Sequence, residues 1–170
     1  MALANQDPTV KTIDISMDSP GGEASAAWRH TMQLVAASPK PVRILVGGMA
    51  LSAAYGIASQ AGEILAKNEL SRIGSVGVVL SVRVNNDIVD ITSSNAPDKR
   101  PDASTEEGQQ TLRAQIDPVE KIFIDAIAEG RGTDSKDVKA NYGKGATVLA
   151  GEAIERGMID AYVETSEKTK

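Results

Sequence analysis

A chain of 170 residues, 41% hydrophobic and 24% charged, is long enough to bury one core and too mixed in composition to be collagenous or disordered. Its formal net charge of -5 speaks against nucleic acid or an anionic membrane as partner, and the absence of cysteine removes disulfides, thiolate metal sites and a cysteine nucleophile together. No run reaches the roughly 18 apolar residues of a membrane-crossing helix and the start MALANQDP lacks a signal pattern, so the expectation is an unanchored, cytoplasmic chain.

In chain order, Val10 to Met17 alternates apolar and polar residues and ends in the turn signal DSPGG, which predicts a strand and a tight loop. Glu23 to Ser38 predicts a helix that stops before Pro39 and Pro41. Val42 to Val46 is a short apolar run of the kind found in strands buried on both faces, closed by Gly47 and Gly48. Ser52 to Gln60 has the small-residue composition of a helix packed closely on a sheet, and Glu63 to Ala66 reads as a short strand. Gly74 and Gly77 bracket a turn, Val76 to Val84 is the most β-rich run of the chain, and Val89 to Thr92 adds a further strand.

The polar, proline-containing stretch Ser93 to Ser104 predicts an exposed loop. From Thr105 to Glu129, Leu112, Ile116, Val119, Phe123 and Ile127 recur every three or four residues and predict a long helix with one buried stripe, kinked at Pro118. A helix at Ser135 to Tyr142, a strand at TVLA, a helix at Gly151 to Arg156 and a strand at Met158 to Val163 follow. Alternating strands and helices make the fold class α/β, in one domain over 1–163 with a disordered tail over 164–170.

Hydrolytic acyl transfer needs a nucleophile, a base and donors for the oxyanion that forms on the carbonyl. Ser52 lies where a strand and a glycine pair give way to a helix, so its hydroxyl falls at a helix N-terminus that favours negative charge. The Ala53 N–H is a natural oxyanion donor, and Gly21 and Gly22 of DSPGG let backbone approach a substrate carbonyl, with Gly22 the second donor. For the base, the single histidine, His30, sits inside the first helix, and a Ser/His/Asp triad would require it to reach Ser52. A lysine serves equally when its surroundings leave it uncharged. Lys99 stands out on a polar loop that can cross the site, although spacing by itself leaves the choice open.

DSPGG, ALSAAYGIAS, IGSVGVV and EAIERGMIDAY, in that order, resemble the signal peptide peptidase A family and its phage relatives, the capsid assembly (prohead) proteases. The resemblance covers about Asp7 to Val163. It implies a ClpP/crotonase-like fold of repeated strand-strand-helix units, with Ser52 as nucleophile, Lys99 as base, Ser75 of GSVG orienting the lysine, and Gly22 as oxyanion donor. It also implies a protein or peptide substrate, a homo-oligomer in which the dyad can form across protomers, and no cofactor or metal. Family members usually carry a longer segment before DSPGG that supplies another strand, whereas 17 residues precede Asp18 here. The setting implied is phage head maturation or the degradation of signal peptides or membrane-associated peptides, in the bacterial host cytoplasm or the phage prohead.

Each residue also has a plainer reading. Ser52 is by default a helix N-cap, Ser75 a turn residue, Asp18 a turn former, and Trp28 and Tyr55 packing residues. Two rival functions share the architecture: a crotonase-type acyl-CoA enzyme, which also uses paired backbone donors, and a catalytically silent oligomeric scaffold.

Overall fold

The computed structural model describes residues 1–82 and 91–164. The chain forms two compact units, one from residues 1–77 and 123 onward, the other Val78–Ile122. The first holds α1 (Ala2–Gln6), β1 (Ile13–Ser19), α2 (Ala26–Ala36), β2 (Val42–Leu51), α3 (Ala53–Ala58), β3 (Glu63–Ala66) and β4 (Arg72–Gly74). Beyond the long helix α4 (Glu106–Arg131) it continues with α5 (Ser135–Asn141), β5 (Thr147–Leu149), α6 (Ala150–Glu155) and β6 (Ala161–Tyr162).

β2 is the trunk of a six-stranded sheet. β1 runs parallel along one edge, from Ile13↔Val42 to Ser19↔Ala50. The other edge is shared in sequence by β3, over Arg43–Val46, and β4, over Met49–Leu51. At that fork the buried Ser71 hydroxyl donates to the carbonyls of Gly47 and Val46, at 3.0 and 3.2 Å; Val46 O also accepts the Lys67 N–H, so Gly47 O is the acceptor the departing strand leaves to the serine. β6 adds to β3 in parallel, and β5 pairs with β4 antiparallel.

Gly47 and Gly48 do not close the second strand, as its apolar run suggested; β2 continues through them to Leu51. Between Met17↔Val46 and Ser19↔Ala50 the register slips, so Gly47, Gly48 and Met49 face Asp18 alone. The Asp18 carboxylate fills that bulge, accepting the Met49 N–H at 3.0 Å. A Cβ on Gly48 would lie 2.6 Å from its Oδ1, so a larger residue there would have to displace the carboxylate from the bulge.

α2 starts at the N-cap Ser25, whose hydroxyl accepts the Trp28 N–H, and buries Trp28, Met32 and Val35 on one face. α4 follows the expected stripe, with Leu112, Ile116 and Val119 half-buried and Phe123 and Ile127 buried. Pro118 lies inside it. It ends at Gly132, φ 63°, with Thr133 N–H returning to Ala128 O, a helix stop that needs a left-handed residue. Val76 to Val82 forms no strand, and neither do Ile91 and Thr92; the rest of those two expected strands lies outside the described residues. β4, by contrast, has no counterpart among the expected strands: the expected turn begins at its last residue, Gly74, and three residues are too few to show a period.

Beneath α6 and β6 a polar cluster ties the C-terminal segment to the core. Arg131 donates to Asp160 at 2.8 Å and to Gly157 O, Tyr55 donates to Met158 O at 2.8 Å, and Tyr142 donates to Gly157 O. Burial pushes the Tyr55 hydroxyl well above the ordinary phenol value. Burial also raises the Asp160 carboxyl, but Arg131 and the Ile64 N–H outweigh it and hold the group below its usual range.

In the second unit a 3-10 turn spans Pro97–Lys99. The Asp102 carboxylate accepts both the N–H and the hydroxyl of Ser104, which lowers its pKa, and the Thr105 hydroxyl accepts the Gly108 N–H at the start of α4.

Candidate active site

Ser52 is the single residue between the end of β2 and the start of α3. Its N–H donates to Gly74 O at 2.8 Å, one step beyond the last β2–β4 pair, Leu51↔Gly74, while its carbonyl already accepts the first helical N–H, from Gly56, at 3.0 Å. One residue therefore turns the chain from strand to helix, and it does so with φ 51° and ψ -126°. For a residue with a Cβ such a conformation costs on the order of 1–3 kcal/mol, and it persists only where the surroundings impose it. The Ser52 side chain makes no capping hydrogen bond to α3, so the ordinary structural reason for a serine here does not apply.

Two backbone donors stand around this elbow. Among the described residues, neither the Ala53 N–H, in the first turn of α3, nor the Gly22 N–H has a protein acceptor. Gly21, with φ 104°, brings the loop after β1 hard against the elbow. A Cβ there would stand 2.7 Å from Leu51 O, 2.7 Å from Ser52 Cβ and 3.0 Å from Ala53 N. Gly22 is the opposite case: a Cβ on it would meet nothing within 4 Å, so its outer side is open space. The loop is itself steadied by the Ser19 hydroxyl, which accepts the Gly21 N–H at 3.2 Å.

Ser75 follows Gly74 at the end of β4, alongside the elbow, with φ 52°. Its N–H donates to Ala146 O at 2.9 Å, and Gly74, φ 115°, admits that carbonyl where a Cβ would sit 2.7 Å from it. Ala146 ends the Gly143–Gly145 3-10 turn, in which Lys144 has φ 50°. Ser52, Ser75 and Lys144 are, among the described residues, the non-glycine positions with left-handed φ. Lys144 was missed in the sequence; its signal was a lysine between two glycines, GKG, which permits a contorted turn.

The first unit thus brings together Ser52, Ala53, Gly21, Gly22 and Ser75. Lys99 belongs to the second unit, where it is exposed at the end of its 3-10 turn. His30 is exposed on α2, off the face that buries Trp28 and Met32. Trp28 and Tyr55 are buried, as packing residues should be, but each also spends its polar atom on backbone: the Trp28 indole N–H donates to Ala53 O at 2.9 Å. Asp18 serves the β2 bulge and not a turn.

Chemically, this is a hydroxyl on a strained elbow that caps nothing, with the Gly21 loop packed against it and the Ala53 and Gly22 N–H groups on the two segments that meet there. A carbonyl presented there would meet a nucleophile and donors for the negative charge it develops. Among the described residues no group of three or more His, Asp or Glu side chains could hold a metal ion, and no helix is long and apolar enough to cross a membrane.

Comparison with known proteins converges on one family. Residues 35–169 match the pattern of Peptidase family S49. "Protease 4" of Salmonella typhi is 30% identical over 93% of this chain and 27% of its own length. "Capsid assembly protease C" of Escherichia phage lambda is 28% identical over 96% of this chain and 39% of its own. The chain therefore spans well under half the length of these relatives. Among solved structures, a mutant of the 1510-N membrane-bound stomatin-specific protease superposes with a TM-score of 0.68, covering 97% of this chain and 70% of that one at 21% identity. That likeness bears on fold alone, and the fold is α/β of the ClpP/crotonase type, as expected.

Proposed function

This chain belongs to Peptidase family S49, and on that premise we propose that it is a serine endopeptidase in which Ser52 attacks the peptide bond and Lys99 is the base. Lys99 in its uncharged form takes the proton from Ser52 Oγ as that oxygen bonds to the substrate carbonyl carbon. The Gly22 and Ala53 N–H groups receive the oxyanion of the tetrahedral intermediate, and Gly21 holds the Gly22 loop against the elbow. Collapse of the intermediate breaks the C–N bond, and Lys99 returns the proton to the departing amine. Water then attacks the acyl-serine with Lys99 again as base, releasing the second product and restoring Ser52. Ser75 orients the lysine from beside the elbow.

Extended protein segments are the substrate class, bound as added strands by a homo-oligomer, and the lysine comes from the same copy or a neighbouring one. The likeness to a capsid assembly protease supports phage head maturation as the setting, with degradation of signal peptides or membrane-associated peptides as the other. No cofactor enters the chemistry.

The observation that carries this reading is the Ser52 backbone, held at φ 51° and ψ -126° with a side chain that caps nothing. The test is cleavage of fluorescein-labelled casein by the pure protein. Ser52→Ala should abolish turnover and leave the unfolding midpoint in place. Turnover retained by that variant would eliminate Ser52 as nucleophile, and an inactive wild-type protein in its native assembly would favour a silent scaffold.

A further inference from the structure

Trp28 ties α2, the helix that follows the Gly21–Gly22 loop, to the first turn of α3. It sits in the first turn of α2, where its backbone N–H meets the hydroxyl of the N-cap Ser25, three positions after Gly22. Its indole N–H, 25 positions away in sequence from its acceptor, donates to Ala53 O in a buried hydrogen bond of 2.9 Å. Ala53 is the residue whose own N–H is the other donor. We propose that Trp28 is a positioning residue that sets the spacing between the Gly22 and Ala53 N–H groups, an inference that rests on the acyl-transfer reading of Ser52.

The plain alternative is that a buried indole simply found an acceptor for its single donor. Three observations weigh against it. The acceptor is a carbonyl in the first turn of a six-residue helix, at the point where the strained elbow must be held. The side chain is fixed by more than this bond: it packs edge-on to Phe123, with ring centroids 5.2 Å apart and planes at 88°. Gly56 stands under the indole, where a Cβ would lie 3.1 Å from Trp28 Cζ2 and 2.8 Å from Phe123 Cε2. A glycine in mid-helix is unfavourable in itself, and here it admits these two rings over α3. A rigid planar side chain with two torsions is the natural spacer between the starts of two helices whose separation matters.

Trp28 is the only tryptophan in the chain, so biosynthetic replacement by an analogue acts at this position alone. Benzothienylalanine puts sulfur where the N–H was and keeps the ring shape; 5-fluorotryptophan keeps the N–H. With labelled casein as substrate, the benzothienyl protein should lose about 10- to 100-fold in kcat per folded molecule with KM within about twofold, as expected when donors are misplaced by a fraction of an ångström. The fluorotryptophan protein should match the wild type, and Trp28→Phe should behave like the benzothienyl protein. Unchanged kcat in the benzothienyl protein would overturn the proposal, as would a rise in KM alone or an activity loss that merely tracks the unfolded fraction. Full activity in Ser52→Ala would instead bring down the acyl-transfer reading and this inference with it, an outcome the tryptophan variants cannot mimic.

Discussion

Adding one methyl group should cost stability at Gly21 and leave it intact at Gly22, where it should instead cost catalysis. At Gly21 an alanine must accept φ 104°, which costs about 1–2 kcal/mol for a residue with a Cβ. It must also place that Cβ 2.7 Å from the Leu51 carbonyl oxygen and the Ser52 Cβ, neither of which is the loose end of a flexible side chain. Overpacking of this kind costs about 1–3 kcal/mol, so Gly21→Ala should lose about 2–5 kcal/mol, a large share of the roughly 5–15 kcal/mol that holds a typical domain. At Gly22 the backbone suits any residue and the new Cβ meets nothing, so Gly22→Ala should keep its stability within about 0.5 kcal/mol. That methyl group nevertheless occupies the open side on which a substrate carbonyl must approach the Gly22 N–H, and casein cleavage per folded molecule should fall by about 100-fold. Urea unfolding gives the stabilities, and initial rates corrected for folded fraction give the activities. Gly22→Ala with wild-type turnover would refute the close approach of substrate at Gly22, and Gly21→Ala as stable as the wild type would refute the tight seat of that loop on the elbow.

Lys99→Ala should lose casein cleavage at every pH while Lys144→Ala retains it; the reverse result would move the base to the lysine of the turn that holds Ser75. The Asp160 carboxyl titrates below its unfolded value, so its stabilising contribution is complete above the unfolded pKa of about 4 and is lost as pH falls through the lower folded value. Urea midpoints should therefore separate the wild type from Asp160→Asn most widely above about pH 4, with the gap closing on further acidification. A gap that stays constant down to pH 2 would show that the charge on Asp160 contributes nothing.

Much of the architecture was legible because it is periodic. The stripe from Leu112 to Ile127, the alternation in β1 and the apolar start of β2 each declare their element through residues that must face a core. The second half of β2 was hidden because Gly48, which looks like part of a strand's end, makes room for the Asp18 carboxylate from the neighbouring strand, a tertiary requirement with no local trace. β4 was hidden for lack of length. At the site, Ser52, Ala53 and the glycine pair could be found from a strand, a turn and a helix in succession, since the elbow is a local feature. Lys99 had only the resemblance to recommend it, because a lysine in a polar loop carries no signal of its own. The tie from the Trp28 indole to Ala53 could not be read at all: an aromatic residue announces burial, and its one donor can point anywhere.

The trunk strand has a consequence for how the protein tolerates damage. Because Val42 to Leu51 is paired with β1 on one edge and with β3 and β4 on the other, and ends next to Ser52, no small fragment can peel away to slacken that corner before the whole sheet gives way. Amide protons of Ile44 to Val46 should exchange with deuterium only through complete unfolding, a few residues from first-turn α3 amides that exchange quickly. Impaired variants of the core should accordingly yield fewer working molecules, each with its full selectivity, and not a population of loosened ones.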